Sequence, residues 1–439
     1  MEFCNDYTIV IPPPSRKSNK IIIPKGVKTI PQCHYEDCDQ LQFIYIPDSV
    51  EHIGDYAFKG CTNLKMVYIP EGVSTIGVGC FCDCVKMIML HIPNSVYQIK
   101  QQAFLGCKSL VSVTLPARLH YIPDFCFFKC KMLDRLIIPP SVTSIGESAF
   151  GKCTNLTEID LPNNILRINS NSFKDCFNLK KIFLGQLTYQ DSRIPVLGTT
   201  AFMTCESLVE INLSCYHIYT LKASCFEQCK SLERVILSKK TRHLTRTCFV
   251  SCPSLKYISY ESELKSTNNN VSEFGLDLEH IQWIPSLAFA DCTSLESVRL
   301  HNKQYVEFGC FNGCKSLKKI SLPLYLDVET GIDDKKQTDF FPSDKIQMLI
   351  LPSKATNFSY SIIYFVMYKL TQRNPILLTK QFTTENLYPF ELAITKLTTR
   401  YQNEEQPDEL CIVNVLYHYL RNDPAVIVKM KRCTGNSTP

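Results

Sequence analysis

One stretch decides the fold of this chain: FKGCTNLKMVYIP, residues 58–70. Its central cysteine, Cys61, belongs to a series of twelve, and the first six steps along that series are all 23 residues long. A fixed period near twenty residues is typical of a solenoid built from stacked coils. We call the twelve residues the ladder cysteines: Cys38, Cys61, Cys84, Cys107, Cys130, Cys153, Cys176, Cys205, Cys229, Cys252, Cys292 and Cys314.

Apolar residues recur at fixed distances from every ladder cysteine. An aromatic residue stands three positions before it, and a leucine stands three positions after it except at Met87. Aliphatic residues follow at six and eight positions after it, except for Tyr260. This alternation predicts a short strand with one buried face in each coil, so each coil adds one strand to a parallel sheet. A coil this short cannot bury its own apolar face, so the coils must stack.

The repeating pattern C-x-x-L-x-x-I-x-L-P-x-x-V-x-x-I-x-x-x-A-F-x-x-C resembles the BspA-like leucine-rich-repeat family, from about Ile21 to Pro352. The resemblance implies a leucine-rich-repeat solenoid with a parallel sheet. It also implies a non-enzymatic protein that binds other proteins or acts as a surface adhesin.

The repeat divides the chain into three predicted segments. Residues 1–20 are an N-terminal segment or cap, residues 21–352 are the solenoid, and residues 353–439 are a helical C-terminal segment. The register of the cysteines breaks twice, and the extra residues lie in two insertions, 185–198 and 260–279. Insertions in solenoids usually form loops on one face.

The C-terminal segment has helical rather than strand periodicity. Apolar residues from Leu387 to Tyr401 are spaced alternately three and four apart, which predicts one helix face, and a second helix is predicted over Asp408–Arg421. The sequence of Tyr388–Ala393 resembles the start of an ankyrin repeat. The predicted fold class is therefore an α/β repeat solenoid with a C-terminal helical, ankyrin-like segment.

The chain contains 23 cysteines, and the repeat accounts for most of them. Five more, such as Cys80, occupy a small-residue position four residues before the ladder, where other coils have alanine or serine. In the run Cys80-Phe81-Cys82-Asp83-Cys84 the buried Phe81 separates the outer sulfurs, so we predict no metal site. Neighbouring ladder cysteines lie within disulfide range, but Met1–Asn19 shows no secretory signal. We therefore expect buried thiols that donate to carbonyls in a cytoplasmic protein, with the cell surface as the alternative.

Composition and motifs predict neither catalysis nor a cofactor. The formal net charge of +5 does not by itself indicate a nucleic-acid or membrane-surface partner, and no apolar stretch is long enough to span a bilayer. Phosphate-loop, zinc-protease and nucleophile-elbow motifs are missing, so we expect no small-molecule substrate. One coil carries a basic run that fits a solvated face, an acidic partner or RNA: Lys230, Arg234, Lys239, Lys240, Arg242, His243 and Arg246.

The candidate site follows from the strand period. Positions five and seven after each ladder cysteine should point away from the core. In the first three coils these positions hold Phe43, Tyr45, Met66, Tyr68, Met89 and His91. Such a cluster is a candidate patch for a protein or peptide, unless the segment Thr8–Pro24 folds over it. The predicted function is a protein-interaction scaffold that binds on the concave sheet face, with a BspA-type surface adhesin as the alternative.

Overall fold

The computed structural model describes two compact units, and each is presented separately. The first unit comprises residues 1–218 and 224–232, and the second comprises 219–223 and 233–439. The described residues are 19–184, 196–214, 216, 218–260, 274–301, 304–307 and 309–321, with four further strands at 326–328, 348–350, 376–379 and 425–428.

The first sheet of the first unit contains the predicted strands. Each strand pairs in parallel with the strand of the next coil, as in the register of Ile44 with Val67 and of Val67 with Leu90. The prediction of a parallel-sheet solenoid is therefore confirmed. The eight strands of this sheet are Lys20–Ile22, Phe43–Tyr45, Met66–Tyr68, Met89–His91, Ser112–Thr114, Arg135–Ile137, Glu158–Leu161 and Lys181–Leu184.

Each regular coil also contributes a second short strand, which the sequence pattern did not predict. These strands form two groups of four, because Pro123 has no N–H to donate to the preceding coil. At the equivalent position the N–H of Lys100 donates to Ile76 O at 3.0 Å, and that of Gly146 donates to Ile122 O at 2.7 Å. The strands are Thr29–Ile30, His52–Ile53, Thr75–Ile76 and Gln98–Ile99, then Tyr121–Ile122, Ser144–Ile145, Arg167–Ile168 and Val196–Leu197.

A column of stacked aromatic rings forms the centre of the core. In the first unit it runs from Tyr35 to Phe226, with ring centroids 5.3–5.8 Å apart and ring planes within 11° of parallel. In the second unit Phe249, Phe289 and Phe311 stack at 5.4–5.5 Å. Each ring is almost completely buried. Burial of one such side chain stabilises the fold by about 1.5–3 kcal/mol, and a stacked pair adds about 0.5–1.5 kcal/mol.

The ladder cysteines link each coil to the one before it. Sγ of Cys61 donates to the carbonyl oxygen of Tyr35 at 3.1 Å, and Sγ of Cys84 donates to that of Phe58 at 3.2 Å. The same bond recurs along the first unit up to Cys229. The carbonyl of Phe58 also accepts the backbone N–H of Cys61 at 3.2 Å. The buried carbonyl oxygen of Phe58 thereby accepts two hydrogen bonds. An alanine in place of the ladder cysteine Cys84 would remove one of them.

Two residues in every coil adopt a left-handed backbone conformation. They stand five and one positions before the ladder cysteine, and their φ angles lie between 51° and 74°. Most are not glycine, and Leu287, with φ of 61° and 41% of its surface exposed, is a branched aliphatic residue in this conformation. Its Cβ is strained there, by about 1–2 kcal/mol in general.

We expect Leu287→Asn to raise the free energy of unfolding of the second unit by about 0.5–1 kcal/mol, because asparagine tolerates the left-handed region. Urea unfolding monitored by circular dichroism measures this change. The matched control is Leu287→Ala, which retains the strained Cβ and should gain nothing. Equal gains for the two variants would contradict the explanation by backbone strain.

The second unit repeats the two-sheet arrangement with one irregular coil. Its first sheet contains Arg234–Leu237, Tyr257–Tyr260, Leu276–Asp277, Ser297–Arg299, Lys319–Ser321, Met348–Ile350, Ile376–Thr379 and Ala425–Val428, and only the last pair is antiparallel. Its second sheet contains Thr220–Leu221, His243–Leu244, Trp283–Ile284, Gln304–Val306 and Leu326–Val328.

A described strand lies within each of the two predicted insertions. Val196–Leu197 lies within 185–198 and pairs with Arg167–Ile168. Leu276–Asp277 lies within 260–279 and enters the first sheet because Leu276 fills a fully buried core position beside Ile258. Residues 185–195 and 261–273 lie outside the described residues.

The C-terminal predictions fall mostly outside the described residues. The two predicted helices, 387–401 and 408–421, and the ankyrin-like start at 388–393 are not among them. Within 353–439 the structure describes two strands, Ile376–Thr379 and Ala425–Val428, and both lie outside the two predicted helices. The described part of the chain contains no helix, and therefore none long and apolar enough to cross a membrane.

Candidate functional site

The six predicted site residues lie together on the outward face of the first sheet in the first unit. We call them the aromatic patch: Phe43, Tyr45, Met66, Tyr68, Met89 and His91. All six side chains are exposed to solvent. For the five other than His91, the exposed fraction ranges from 45% at Phe43 to 57% at Met66. The alternating buried residues Ile44, Val67 and Leu90 are at most 7% exposed. The pleat of the strands thus separates patch residues from core residues.

Sheet register arranges the aromatic patch in two columns. Phe43, Met66 and Met89 face one another across successive strands in the first column. Tyr45, Tyr68 and His91 do so in the second column. Neighbouring strands in a sheet lie about 4.8 Å apart, so the three members of each column form a continuous apolar strip.

Three further apolar side chains extend the patch, and the sequence analysis missed them. Ile22, 63% exposed, pairs in register with Tyr45. Ile88 and Val111, 50% and 40% exposed, each stand four positions after a ladder cysteine, directly before a strand. This position is polar in nine of the twelve coils, so an aliphatic residue here, next to the patch, is the signal that identifies them.

The sequence left open whether the N-terminal segment Thr8–Pro24 covers the aromatic patch. The part of it that the structure describes does not lie over the patch: Lys20–Ile22 pairs with Phe43–Tyr45 as the edge strand of the same sheet. Residues 8–18 lie outside the described residues.

Further along the sheet the first outward column becomes charged and the second becomes mixed. Arg135, Glu158 and Lys181 occupy the same column in three successive coils, so opposite charges face each other in direct register. Such cross-strand pairs stabilise a sheet by about 0.2–1 kcal/mol each and keep the surface hydrated. The first column therefore loses its apolar character beyond the patch, whereas the second column still has single exposed apolar side chains at Ile137 and Phe183, separated by Asp160.

The cysteine run 80–84 is buried rather than poised for chemistry. Burial raises the pKa of the Cys80 and Cys84 thiols well above the ordinary value, and it raises the pKa of Cys82 to about 12. A thiol held in the protonated form is a poor nucleophile and a poor metal ligand. Across the described ranges, no cluster of three His, Cys, Asp or Glu residues is arranged to hold a metal ion.

A buried polar cluster in the second unit was missed because it lies beside a predicted insertion. Oδ1 of Asp277 lies 2.6 Å from Nε2 of His301, and Oδ2 lies 3.6 Å from the guanidinium of Arg299. The amide of Gln304 donates to the carbonyls of Leu278 and Ile281 at 2.6 and 2.7 Å. Burial raises the pKa of Asp277, but the hydrogen bond and charge of His301 and the charge of Arg299 outweigh it, so this pKa lies below its ordinary value.

The family of the chain follows from its repeats. A family model described as a BspA type leucine rich repeat region, with six copies, matches residues 15–94, 74–194, 184–283 and 275–371. The chain therefore belongs to the BspA-type leucine-rich-repeat family. Proteins of this type are generally interaction or surface proteins, and the family is typically non-enzymatic.

Several solved structures of leucine-rich-repeat proteins are similar to this chain. A leucine-rich repeat protein from Bacteroides ovatus is 24% identical, with 77% of this chain and 79% of that chain covered and a TM-score of 0.53. A leucine rich cell surface protein from Faecalibacterium prausnitzii is 25% identical, with 71% and 83% covered and a TM-score of 0.46. The T. pallidum leucine rich repeat protein is 27% identical, with 44% and 78% covered and a TM-score of 0.32. A comparison with curated proteins found no match.

Proposed function

We propose that this protein is a non-enzymatic interaction scaffold and that the aromatic patch binds a protein or peptide. The observation that carries the proposal is the in-register exposure of six aromatic, thioether and imidazole side chains on one sheet face. These apolar side chains are about half exposed, and covering them with a partner is favourable by about 25 cal/mol for each Å² of apolar surface buried.

The chemistry of the patch supports a protein partner. Tyrosine, phenylalanine and methionine are enriched at the centres of protein interfaces, and lysine and glutamate are depleted there. Methionine adapts its unbranched chain to irregular partner surfaces. Tyr45 and Tyr68 combine a large apolar ring with a hydroxyl group that can form a hydrogen bond with a partner backbone. The concave face expected of the sheet suits an extended partner that lies along the two columns.

We expect Tyr68→Ala to weaken partner binding by about 2 kcal/mol, because Tyr68 is the middle member of its column. Stability should change little, since this side chain is 56% exposed. Val67→Ala is the matched control: Val67 is 4% exposed, so its truncation should destabilise the fold by about 2 kcal/mol.

The partner is first captured by co-purification and identified by mass spectrometry, and its affinity for both variants is then measured by calorimetry. Unchanged affinity of Tyr68→Ala would refute a hot spot at this residue. Unfolding of Tyr68→Ala as severe as that of Val67→Ala would show that Tyr68 is a core residue.

We further propose that the protein works in the reducing cytoplasm, with the cell surface as the competing location. The geometry that supports this is the ladder of bonds from Sγ to carbonyl oxygen, since these bonds need the thiol hydrogen. Under denaturing, non-reducing conditions we expect most of the 23 cysteines to react with a thiol reagent. Mass spectrometry of protein from its native source measures the number of labels, and mostly paired cysteines would instead support the surface location.

A further inference from the structure

The second sheet of the second unit carries its own row of aromatic side chains. His243 pairs in register with Trp283, and Trp283 pairs with Tyr305. Tyr219 packs edge to face on His243 at 5.1 Å, and Trp283 packs edge to face on Tyr305 at 6.2 Å. Tyr219 and Trp283 are 51% and 44% exposed. His243, Trp283 and Tyr305 lie on three successive strands, and Tyr219 directly precedes the strand Thr220–Leu221 beside them. The row lies outside the aromatic patch.

A buried carboxylate fixes the orientation of the tryptophan. Nε1 of Trp283 donates to Oε1 of Glu307 at 3.0 Å, and the backbone N–H of Ser286 donates to Oε2 at 2.8 Å. The side chain of Glu307 is only 6% exposed, while Arg246, 3.7 Å from Oε2, is 72% exposed. The indole is therefore held in place with its ring partly in solvent, which lowers the entropy lost when a partner covers it.

Positive charge borders this row. Lys239 and Lys240 are exposed in the turn directly before the strand His243–Leu244. The guanidinium of Arg242 donates to the carbonyls of Lys239 and Thr241 and so stays at the same turn. Burial lowers the pKa of His280, and the charges of Arg242 and Lys239 lower it further, although Glu279 opposes them. Lys239, Lys240 and Arg242 thus place positive charge along one side of the row.

We propose that this surface, which we call the tryptophan surface (Tyr219, Lys239, Lys240, His243, Trp283 and Tyr305), is a second docking site, and that its ligand is an acidic protein segment with apolar side chains. The positive charge of the lysines attracts the acidic groups of the segment, and the exposed aromatic rings contact its apolar side chains. Tryptophan, tyrosine and arginine are the residues most enriched at protein hot spots.

The geometry favours protein over single-stranded RNA. An RNA platform presents ring faces on which successive bases stack, and it follows the backbone with many cations. Here the ring planes of the two pairs meet at 67° and 77°, so the rings do not form a continuous platform. The carboxylate of Glu307 offsets the charge of Arg246, which leaves Lys239, Lys240 and Arg242 as the cations beside the row, too few to follow an RNA backbone.

Trp283 makes the test specific, because it is the only tryptophan in the chain. The full-length protein is titrated with a synthetic peptide that alternates glutamate and leucine, and binding is followed by Trp283 emission and by anisotropy of the labelled peptide. We expect emission to move to shorter wavelength as the indole is covered. The double variant Lys239→Glu with Lys240→Glu should weaken binding about tenfold or more, which corresponds to about 1.4 kcal/mol.

The matched control is Lys108→Glu with Lys131→Glu, two exposed lysines of the first unit, which changes the net charge equally. This control variant should bind the peptide as tightly as the parent protein does. Tyr68→Ala should also bind it as tightly, because the aromatic patch is a separate site. The proposal is overturned if the peptide leaves Trp283 emission unchanged, if the control pair weakens binding as much as the test pair, or if poly(U) binds more tightly than the peptide at the same salt concentration.

Discussion

Phe150→Ala is expected to lower the free energy of unfolding by about 3–5 kcal/mol. Phe150 is fully buried, and its ring stacks on Phe127 at 5.6 Å and on Phe173 at 5.3 Å. Its removal leaves a cavity that rings on either side cannot fill without leaving their own positions. Coils of a solenoid are stabilised mainly by their neighbours, so the damage should spread to the adjacent coils.

Hydrogen exchange locates this damage, and urea unfolding measures its size. Amides across residues 142–173 should exchange faster in Phe150→Ala than in the parent protein. The control is Phe183→Ala, since Phe183 lies in the first sheet of the same unit but is 51% exposed. It should change stability by less than about 1 kcal/mol. Unchanged exchange across residues 142–173 in Phe150→Ala would be incompatible with a stacked aromatic core.

His301→Ala is expected to destabilise the second unit by about 2–3 kcal/mol, because it leaves the carboxylate of Asp277 with fewer partners in a site that is mostly shielded from water. The side chain of Asp277 is 10% exposed, and His301 provides its shortest contact. The loss should be smaller than for an isolated buried charge, since Arg299 stays close. Urea unfolding followed by hydrogen exchange over residues 274–301 measures it.

His301→Gln is the matched variant, because an amide nitrogen can again donate to Asp277. It should recover part of the lost stability. Equal stability of His301→Ala and the parent protein would show that the contact between Asp277 and His301 contributes nothing to the stability of the second unit.

The lowered pKa of Asp277 adds a dependence on pH. Because the folded state holds this carboxyl below its ordinary pKa, its contribution is present above the unfolded value of about 3.9 and is lost as the pH falls through the folded value. Asp277→Asn should therefore remove part of the decline in stability that the parent protein shows below about pH 4. If stability falls below about pH 4 as steeply in Asp277→Asn as in the parent protein, the loss of stability in acid comes from other carboxyl groups.

The sequence predicted the regular part of the fold because a 23-residue register repeats the same contacts in every coil. Phe58, Cys61 and Val67 have equivalents in each repeat, so their burial could be inferred from spacing alone. The outward positions of Tyr45 and Tyr68 followed from the strand period, and both are exposed in the structure. Whether these residues bind a partner stays a prediction.

The second strands could not be predicted in the same way. A strand such as Thr75–Ile76 has two residues, too few to show an alternating pattern. Cross-coil polar contacts were also beyond the sequence: Asp277 and His301 are 24 residues apart, and only the register of an irregular coil brings them together. The same limit applies to Trp283 and Glu307, whose bond also spans 24 residues.

The thiol-to-carbonyl ladder has a practical consequence for protein engineering. In regular coils the bond joins residues 26 apart, but Cys205 reaches Phe173 O across 32 residues and Cys292 reaches Phe249 O across 43, each at 3.3 Å. This contact is therefore kept in both longer steps, in which the extra residues follow the first-sheet strands Lys181–Leu184 and Tyr257–Tyr260 in sequence. The position after a strand such as Arg135–Ile137 is accordingly a natural graft point, where a foreign recognition loop can be displayed while the coils above and below keep their packing.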